Sequence, residues 1–391
     1  MNILHVLPEF PARPLQCHSG ITNVVYHLSR EQVKLGHEVT VSTSSIGCTN
    51  NKDNENIGEE GSPLIFDGVS VLHFSSLLSY DQFHVTPKLV SFVKKNLATF
   101  DVVHLHDVRC FQSIVVQYYA RRYSRPYVLQ IHGSHLGGLR EKKLKWLLDC
   151  TSSRRILRHA TRAIALNTTE AEYYRQQGLP AHVIDIVGNG IDLAEYEGGQ
   201  RGEFRRRYGI SNDQRVILYL GRLTRSKNID MLVDAFSHLN SSLERVTLVL
   251  AGPDKGFKTA LKRRVRDLNI EDRTLFTGPL EETEKMNALI DADVLVTPSF
   301  TGFPVTFLES CACGTPIVTT TNADNLEWIN ENVGLVTSFD STALSQAILR
   351  ILSDPELETR FRKNCQQLVK KYEWPFIVEQ LQETYVRAIR T

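Results

Sequence analysis

Residues 298–316 read PSFTGFPVTFLESCACGTP, and their types and spacing can do chemistry. The β-branched run at 294–297 feeds a turn containing Gly302, and a helix is predicted to open near Pro304 with Glu309 one turn in. Amides of a first helical turn lack partners within the helix and can hold an anion. A carboxylate just behind them can accept hydrogen bonds from a diol. Side by side, the two groups suit a diphosphate and a ribose.

A second cluster is Gly221-Arg222-Leu223-Thr224-Arg225-Ser226-Lys227-Asn228, just past a predicted strand at 216–220. Ligands of parallel sheets bind outside the carboxyl ends of the strands, where Arg222 and Lys227 would neutralise a departing diphosphate. The alternative is a solvated basic loop. Ser19 and Gly20 precede a predicted helix at 21–35 that Gly36 ends, so Gly20 would let backbone approach a phosphate or would serve the turn alone. His132 ends a predicted strand and can touch a transferred group, although a lone histidine is as readily structural. His104 and His106 are expected to pack or cap. Asp291 and Asp293 have the spacing of a cation-binding carboxylate pair. They precede a strand, at the end remote from any ligand, so no metal is expected there.

These residues need elements to position them. Strand-like runs occur at 3–7, 39–42, 69–74, 102–105, 127–132, 163–166 and 182–187, then at 216–220, 247–251, 274–277, 294–297, 317–320 and 334–337. Helix-like periods separate them, and several runs are apolar throughout. That pattern implies parallel strands buried on both faces, in α/β doubly wound sheets. The polar stretch 195–202 divides the chain into halves, each the size of one Rossmann-like domain. Three regions are expected: 1–195, 196–370, and a terminal helix at 371–391 crossing back to the first domain. Residues 47–61 read as a surface loop, and Pro375 as a break between two helices.

Composition narrows the possibilities. The chain has 391 residues, 42% hydrophobic and 23% charged, with a formal net charge of +1, so it carries no global nucleic-acid signature. It shows no signal-peptide pattern, and its seven cysteines form no CxxC pair, which suits reduced thiols and a cytoplasmic location. Residues 101–165 hold twelve Lys or Arg against four Asp or Glu. Within them, residues 139–158 could rest as a basic helix on an anionic membrane surface, making the protein peripheral on the inner face. The competing reading is an ordinary helix with a solvated basic face.

In order and spacing these motifs resemble retaining glycosyltransferases of family 4, which have the two-domain GT-B fold. The resemblance spans nearly the whole chain. It rests on Ser19-Gly20, Gly36-His37-Glu38-Val39, His132-Gly133, Asn189-Gly190-Ile191-Asp192, Gly221-Arg222 with Lys227, Ala251-Gly252-Pro253, Phe276-Thr277-Gly278, and Gly302-Phe303 through Glu309 to Gly314-Thr315-Pro316. It implies two Rossmann-like domains facing an interdomain cleft, and transfer of a sugar from a UDP- or GDP-sugar to an acceptor hydroxyl, such as that of a lipid-linked glycan. Glu309 would take the ribose hydroxyls as the second Glu of an E-x7-E motif. Thr301, Gly302, Phe303, Val305 and Thr306 would meet sugar and phosphate. Arg222 and Lys227 would stabilise the leaving diphosphate, Ser19 and Gly20 would line it, and His132 would sit at the sugar. Thr277, Gly278 and Leu280 would flank the base, with no metal or other cofactor required.

The chain departs from the family pattern in three places. Thr301 stands where the first Glu of E-x7-E is expected, Pro304 where many members have Gly, and Ser19 in place of a first Gly. Donor identity is therefore open. A nucleotide-sugar-binding protein without transfer, and a glycoside phosphorylase, are the alternative readings. A Rossmann oxidoreductase lacks its G-x-G-x-x-G spacing here.

Overall fold

The computed structural model describes residues 1–11, 20–46, 62–80, 83–133, 149–239, 245–324 and 326–391. Contacts divide the chain into two units. Unit 1 is Met1–Gly190 with Trp374–Thr391, and unit 2 is Ile191–Glu373.

Unit 1 holds β1 (Asn2–Glu9), β2 (Glu38–Ser44), β3 (Leu64–Phe66), β4 (Val69–Phe74), β5 (Leu78–Tyr80), β6 (Phe83–Val85), β7 (Val102–His106), β8 (Tyr127–Gln130), β9 (Arg162–Ala165) and β10 (Ile184–Ile186). Eight of these form one sheet in the order β10-β9-β8-β7-β1-β2-β4-β3, and β5 and β6 pair separately. Every pairing in the large sheet is parallel except that of β3 with β4. Ile3, Leu4, Val6, Val103 and Leu105 are buried because helices cover both faces, which is why these strands read as apolar runs. One face carries a polar seam: His5 is the register partner of His104, with His106 two residues on. The helix Gly20–Lys34 packs against the terminal helix Trp374–Ile389, where the His27 ring stacks on Trp374 at 5.5 Å.

Unit 2 holds β11 (Arg215–Leu220), β12 (Val246–Ala251), β13 (Thr274–Gly278), β14 (Val294–Thr297), β15 (Ile317–Thr320) and β16 (Gly334–Thr337). They form a parallel sheet in the order β13-β12-β11-β14-β15-β16. Ile217, Leu248, Leu250, Val294, Val296 and Val318 join one core with the helices Ile229–His238 and Ser341–Ser353.

Four expectations shift. The boundary between units falls at Gly190/Ile191, ahead of 195–202, because Asp192 caps a 3-10 turn at Leu193–Tyr196 that belongs to unit 2. The terminal helix starts at Trp374, with Pro375 in its first turn, while the 3-10 turn Val369–Tyr372 stays in unit 2. The strand expected to run to His132 stops at Gln130, since His132 sits at φ 52. The short strands β3, β5 and β6 have no counterpart in the sequence reading, because three residues carry too little periodicity to show.

Of the basic segment at 139–158, residues 139–148 lie outside the described residues, as does the whole loop at 47–61. In the helix Arg154–Arg158, Ile156 and Leu157 are buried in the core of unit 1 and the arginines are exposed. The apolar side of that five-residue helix packs within unit 1. Among the described residues no helix is long and apolar enough to cross a membrane.

Candidate functional site

In unit 2 the expected donor-binding residues gather at the carboxyl ends of neighbouring strands. The turn leaving β14 is tied down by its neighbour. Thr319 Oγ1 donates to the Thr297 carbonyl at 2.8 Å, Thr320 Oγ1 to that of Pro298 at 2.7 Å, and Ser299 Oγ to that of Asn322 at 3.0 Å. Gly302 takes φ 73, a conformation a side chain would strain. The Phe303 ring packs with Trp328 at 6.0 Å and Tyr372 at 5.6 Å, so it anchors the turn instead of offering a stacking face. Thr301 is exposed.

The helix Val305–Ala312 follows, with no side chain capping its start. Its first turn carries Val305 and Thr306, both partly exposed. Glu309 lies one turn in and is buried, as a helix position facing the core requires. Its Oε1 accepts from Lys285 Nζ at 3.0 Å and from the Tyr196 hydroxyl at 3.1 Å. Lys285 also meets Glu282 at 2.5 Å. Burial disfavours the Lys285 charge, but Glu309 and Glu282 outweigh it and raise its pKa, so the ammonium persists. Burial and then the Glu309 charge push the Tyr196 hydroxyl far up, which keeps it a donor. Both donors converge on Oε1 and neither bonds Oε2.

Arg222 and Lys227 follow β11. Gly221 N donates to the Ala251 carbonyl at 2.9 Å, and a Cβ on Gly252 would stand 2.0 Å from the Gly221 oxygen, so the β11 and β12 exits meet backbone to backbone. Arg222 is exposed and Lys227 half-buried. Burial and then the Arg222 charge lower the pKa of Lys227, while Asp324 opposes them. Asp324 also reaches the turn after β14, where its Oδ2 accepts from Gly302 N at 2.5 Å. The Gly302 amide, expected to face a ligand, therefore already holds a carboxylate delivered from beyond β15. At the β13 end, Gly278 accepts from Gly252 N at 2.8 Å and from Thr277 Oγ1 at 2.9 Å, and Leu280 is half-buried before the helix Glu282–Asp291.

Asp291 and Asp293 lie at the opposite edge of this sheet, bound to protein donors. Asp291 accepts from Gly202 N at 2.6 Å and Arg205 N at 3.1 Å. Asp293 accepts from Arg215 at 2.6 Å, Val216 N at 2.7 Å and Arg205 at 3.3 Å. They tie Arg205 and Arg215 to the amino ends of β11 and β14.

In unit 1, Ser19 lies outside the described residues. Gly20 is exposed at the start of its helix, and a Cβ there would meet nothing within 4 Å, so the protein itself does not demand glycine. His132 does not stand alone. Its Nε2 lies 2.9 Å from His106 Nδ1, His106 Nε2 lies 2.9 Å from His5 Nδ1, and His5 Nε2 lies 2.8 Å from Gln32 Oε1. Beside them His104 Nδ1 meets the Tyr385 hydroxyl at 2.7 Å. Burial lowers His5 to about 4 and His132 to about 3, and holds His104 and His106 well below the usual imidazole range. All four are neutral at neutral pH. His104 and His106 thus belong to an ordered polar network rather than to simple packing.

Sequence reasoning missed Tyr196, Lys285, Asp324, His5 and Gln32. Tyr196, Lys285 and Glu309 come from three elements distant in the chain, so no spacing motif joins them. His5 carries a faint signal, a polar residue in an otherwise apolar first strand.

Two parallel-sheet α/β units in one chain fit the GT-B fold class. Residues 18–195 match the family described as Glycosyltransferase Family 4, and residues 200–368 match Glycosyl transferases group 1. The chain belongs to the GT-B glycosyltransferases of the family 4 type. It is 26% identical, over 98% of both chains, to an uncharacterized glycosyltransferase of Methanocaldococcus jannaschii. It is likewise 26% identical, over all of this chain and 95% of the other, to glycogen synthase of Mycobacterium tuberculosis. Its fold matches that of HepE from Anabaena, solved in complex with UDP, with a TM-score of 0.76 and 17% identity over 99% of this chain and 100% of that one.

Proposed function

We propose that this glycosyltransferase moves a hexose from a UDP- or GDP-sugar to an acceptor hydroxyl, with retention at the anomeric carbon. The observation that carries the reading is Glu309, buried one turn into the Val305–Ala312 helix and held by Lys285 and Tyr196 through one oxygen. A carboxylate fixed on one oxygen offers the other to a ribose diol. The amides of Val305 and Thr306 would receive the diphosphate at the helix start. Arg222 and Lys227 would bear the charge that grows on it as the bond from the anomeric carbon to phosphate breaks. The acceptor oxygen bonds the same face of that carbon, and its proton passes to a leaving phosphate oxygen. Thr277, Gly278 and Leu280 would border the base, Gly20 would admit phosphate closely, and His132 would meet a sugar hydroxyl. No step calls on a metal. UDP in the HepE complex supports a uridine donor, and a glycan, including a lipid-linked one, is the acceptor class proposed.

The test is turnover of UDP- and GDP-sugars by Glu309→Ala and Lys227→Ala. Each is expected to lose about 10²–10³ in rate, the cost of removing an interaction that strengthens in the transition state. Rates like the wild type in both would refute the site. Thr301 favours a second reading, nucleotide-sugar binding without transfer. Calorimetry giving tight UDP or GDP binding, with no turnover on any acceptor, would select it.

A further inference from the structure

The buried histidines of unit 1 do more than pack. We propose that Gln32, acting through His5 and His106, fixes which ring nitrogen of His132 holds the proton, making His132 Nδ1 a hydrogen-bond acceptor for a hydroxyl of the bound sugar. This rests on the reading of His132 as a sugar-contacting residue. Gln32, His5 and His106 are positioning residues.

The argument is one of donor and acceptor order. A neutral imidazole has one N–H and one lone pair, and an amide oxygen only accepts. Gln32 Oε1 therefore takes the proton of His5 Nε2 across 2.8 Å. His5 Nδ1 is left as a lone pair, so His106 Nε2 must donate to it across 2.9 Å. His106 Nδ1 is then the acceptor, and His132 Nε2 donates to it across 2.9 Å. At the end of the series His132 Nδ1 carries a lone pair.

The first member of the series is itself held. Gln32 Nε2 donates to the Tyr385 hydroxyl at 3.2 Å, and that hydroxyl is itself held 2.7 Å from His104 Nδ1. This orients the amide with its oxygen toward His5. Secondary structure holds the rest. β8, β7 and β1 are adjacent strands, and the His132 and His106 rings stack at 5.2 Å, 21° from parallel. His132 pays for its place with a left-handed φ of 52, a strain that surrounding structure must sustain.

Neutrality is a condition of the mechanism. An imidazolium donates from both nitrogens and would break the order. Burial keeps all four rings uncharged. The same order bears on metal binding, since His5, His104 and His106 each bring a ring nitrogen within 4.8 Å of the others, and His5 Nδ1 faces His106 Nε2. A cation would need lone pairs on both His5 Nδ1 and His106 Nε2, whereas a hydrogen bond between them needs a proton on one.

The experiment is long-range 1H–15N correlation of the histidine rings in the full-length, ligand-free protein at neutral pH. His5, His106 and His132 are expected to show protonated Nε2 and bare Nδ1. Gln32→Met removes the acceptor that starts the series, and His132 should then show both tautomers. Tyr385→Phe frees the Gln32 amide to turn and should have the same effect, should Gln32→Met not fold. Protonated Nδ1 on wild-type His132, or a His132 tautomer unmoved by either variant, overturns the proposal. Because the spectra need no donor sugar, this failure is distinct from a failure to find turnover. With a sugar donor that does turn over, Gln32→Met should lower kcat/KM about tenfold, the worth of one hydrogen bond mismatched in a buried site. An unchanged kcat/KM would also count against it.

Discussion

Units 1 and 2 share a plan of parallel strands with polar side chains at their carboxyl ends, yet they satisfy those side chains by opposite means. Unit 1 strings uncharged groups in series: an amide, three imidazoles, and a tyrosine beside them. Unit 2 pairs formal charges, Lys285 with Glu309, Lys227 with Arg222 and Asp324 nearby, and arginines with Asp293 at the far edge. A neutral series carries information about proton position but cannot offset the charge of a ligand. A set of fixed charges can stabilise a diphosphate but leaves a proton's position undefined. The two units thus use their polar groups differently: one orders protons, the other sets charge.

The largest expected effect lies in the charged unit. Asp293→Ala removes the carboxylate that Arg205, Arg215 and the Val216 amide share, leaving a nearly buried Arg205 with carbonyl acceptors alone, and should cost about 3–5 kcal/mol. Hydrogen exchange should quicken in β11 and β14 while β1 and β7 stay protected. Loss of protection in both units would show that they do not stand apart in stability.

Lys285→Met sharpens the comparison at the site itself. It leaves Glu309 with only Tyr196 and should weaken UDP or GDP binding by about 1.5–3 kcal/mol, the range for a hydrogen bond to a charged group. Calorimetry reads this directly, and unchanged affinity would mean that Lys285 does not position the carboxylate.

Acid should strike unit 1 first. His5 titrates near 6.5 when unfolded but at about 4 when folded, so between those values the unfolded chain binds more protons. Its contribution is complete above pH 6.5 and declines as pH falls toward 4, at about 1.4 kcal/mol per pH unit. Protection factors of β1 and β7 amides, followed from pH 7 to 4, should fall ahead of those in β11 and β14. His5→Asn should remove part of that slope.

The smallest effect is expected from Asp324→Asn. Asp324 raises the pKa of Lys227 against burial and Arg222, so its loss should lower that pKa further. Nucleotide affinity should then fall off at lower pH than in the wild type. A pH profile of binding that does not move would separate Asp324 from the basic pair.

The segments of unit 2 that carry the candidate site were legible in the sequence. Arg222, Lys227, Gly302 and Glu309 sit in short segments where a strand, a turn and a helix start follow one another within a few residues, so local rules locate them. The place of Asp291 and Asp293 before a strand, remote from its carboxyl end, is also a local matter. The partners of Glu309 were not legible. Lys285 and Tyr196 become neighbours of it only when two helices and a 3-10 turn pack together. Asp324 reaches Gly302 for a similar reason, since β14 and β15 are adjacent in the sheet and their exits lie side by side.

By itself the sequence determined the parallel-sheet class, the two halves and the polar loops after the strands, since hydrophobic period and turn residues act over a few positions. Only the tertiary structure decided where the units divide, which groups hold Glu309, and that His132 ends a series begun at Gln32. Hydrogen bonds and ion pairs depend on distances of about 3 Å between atoms, and strand order and helix packing set those distances between residues far apart in the chain.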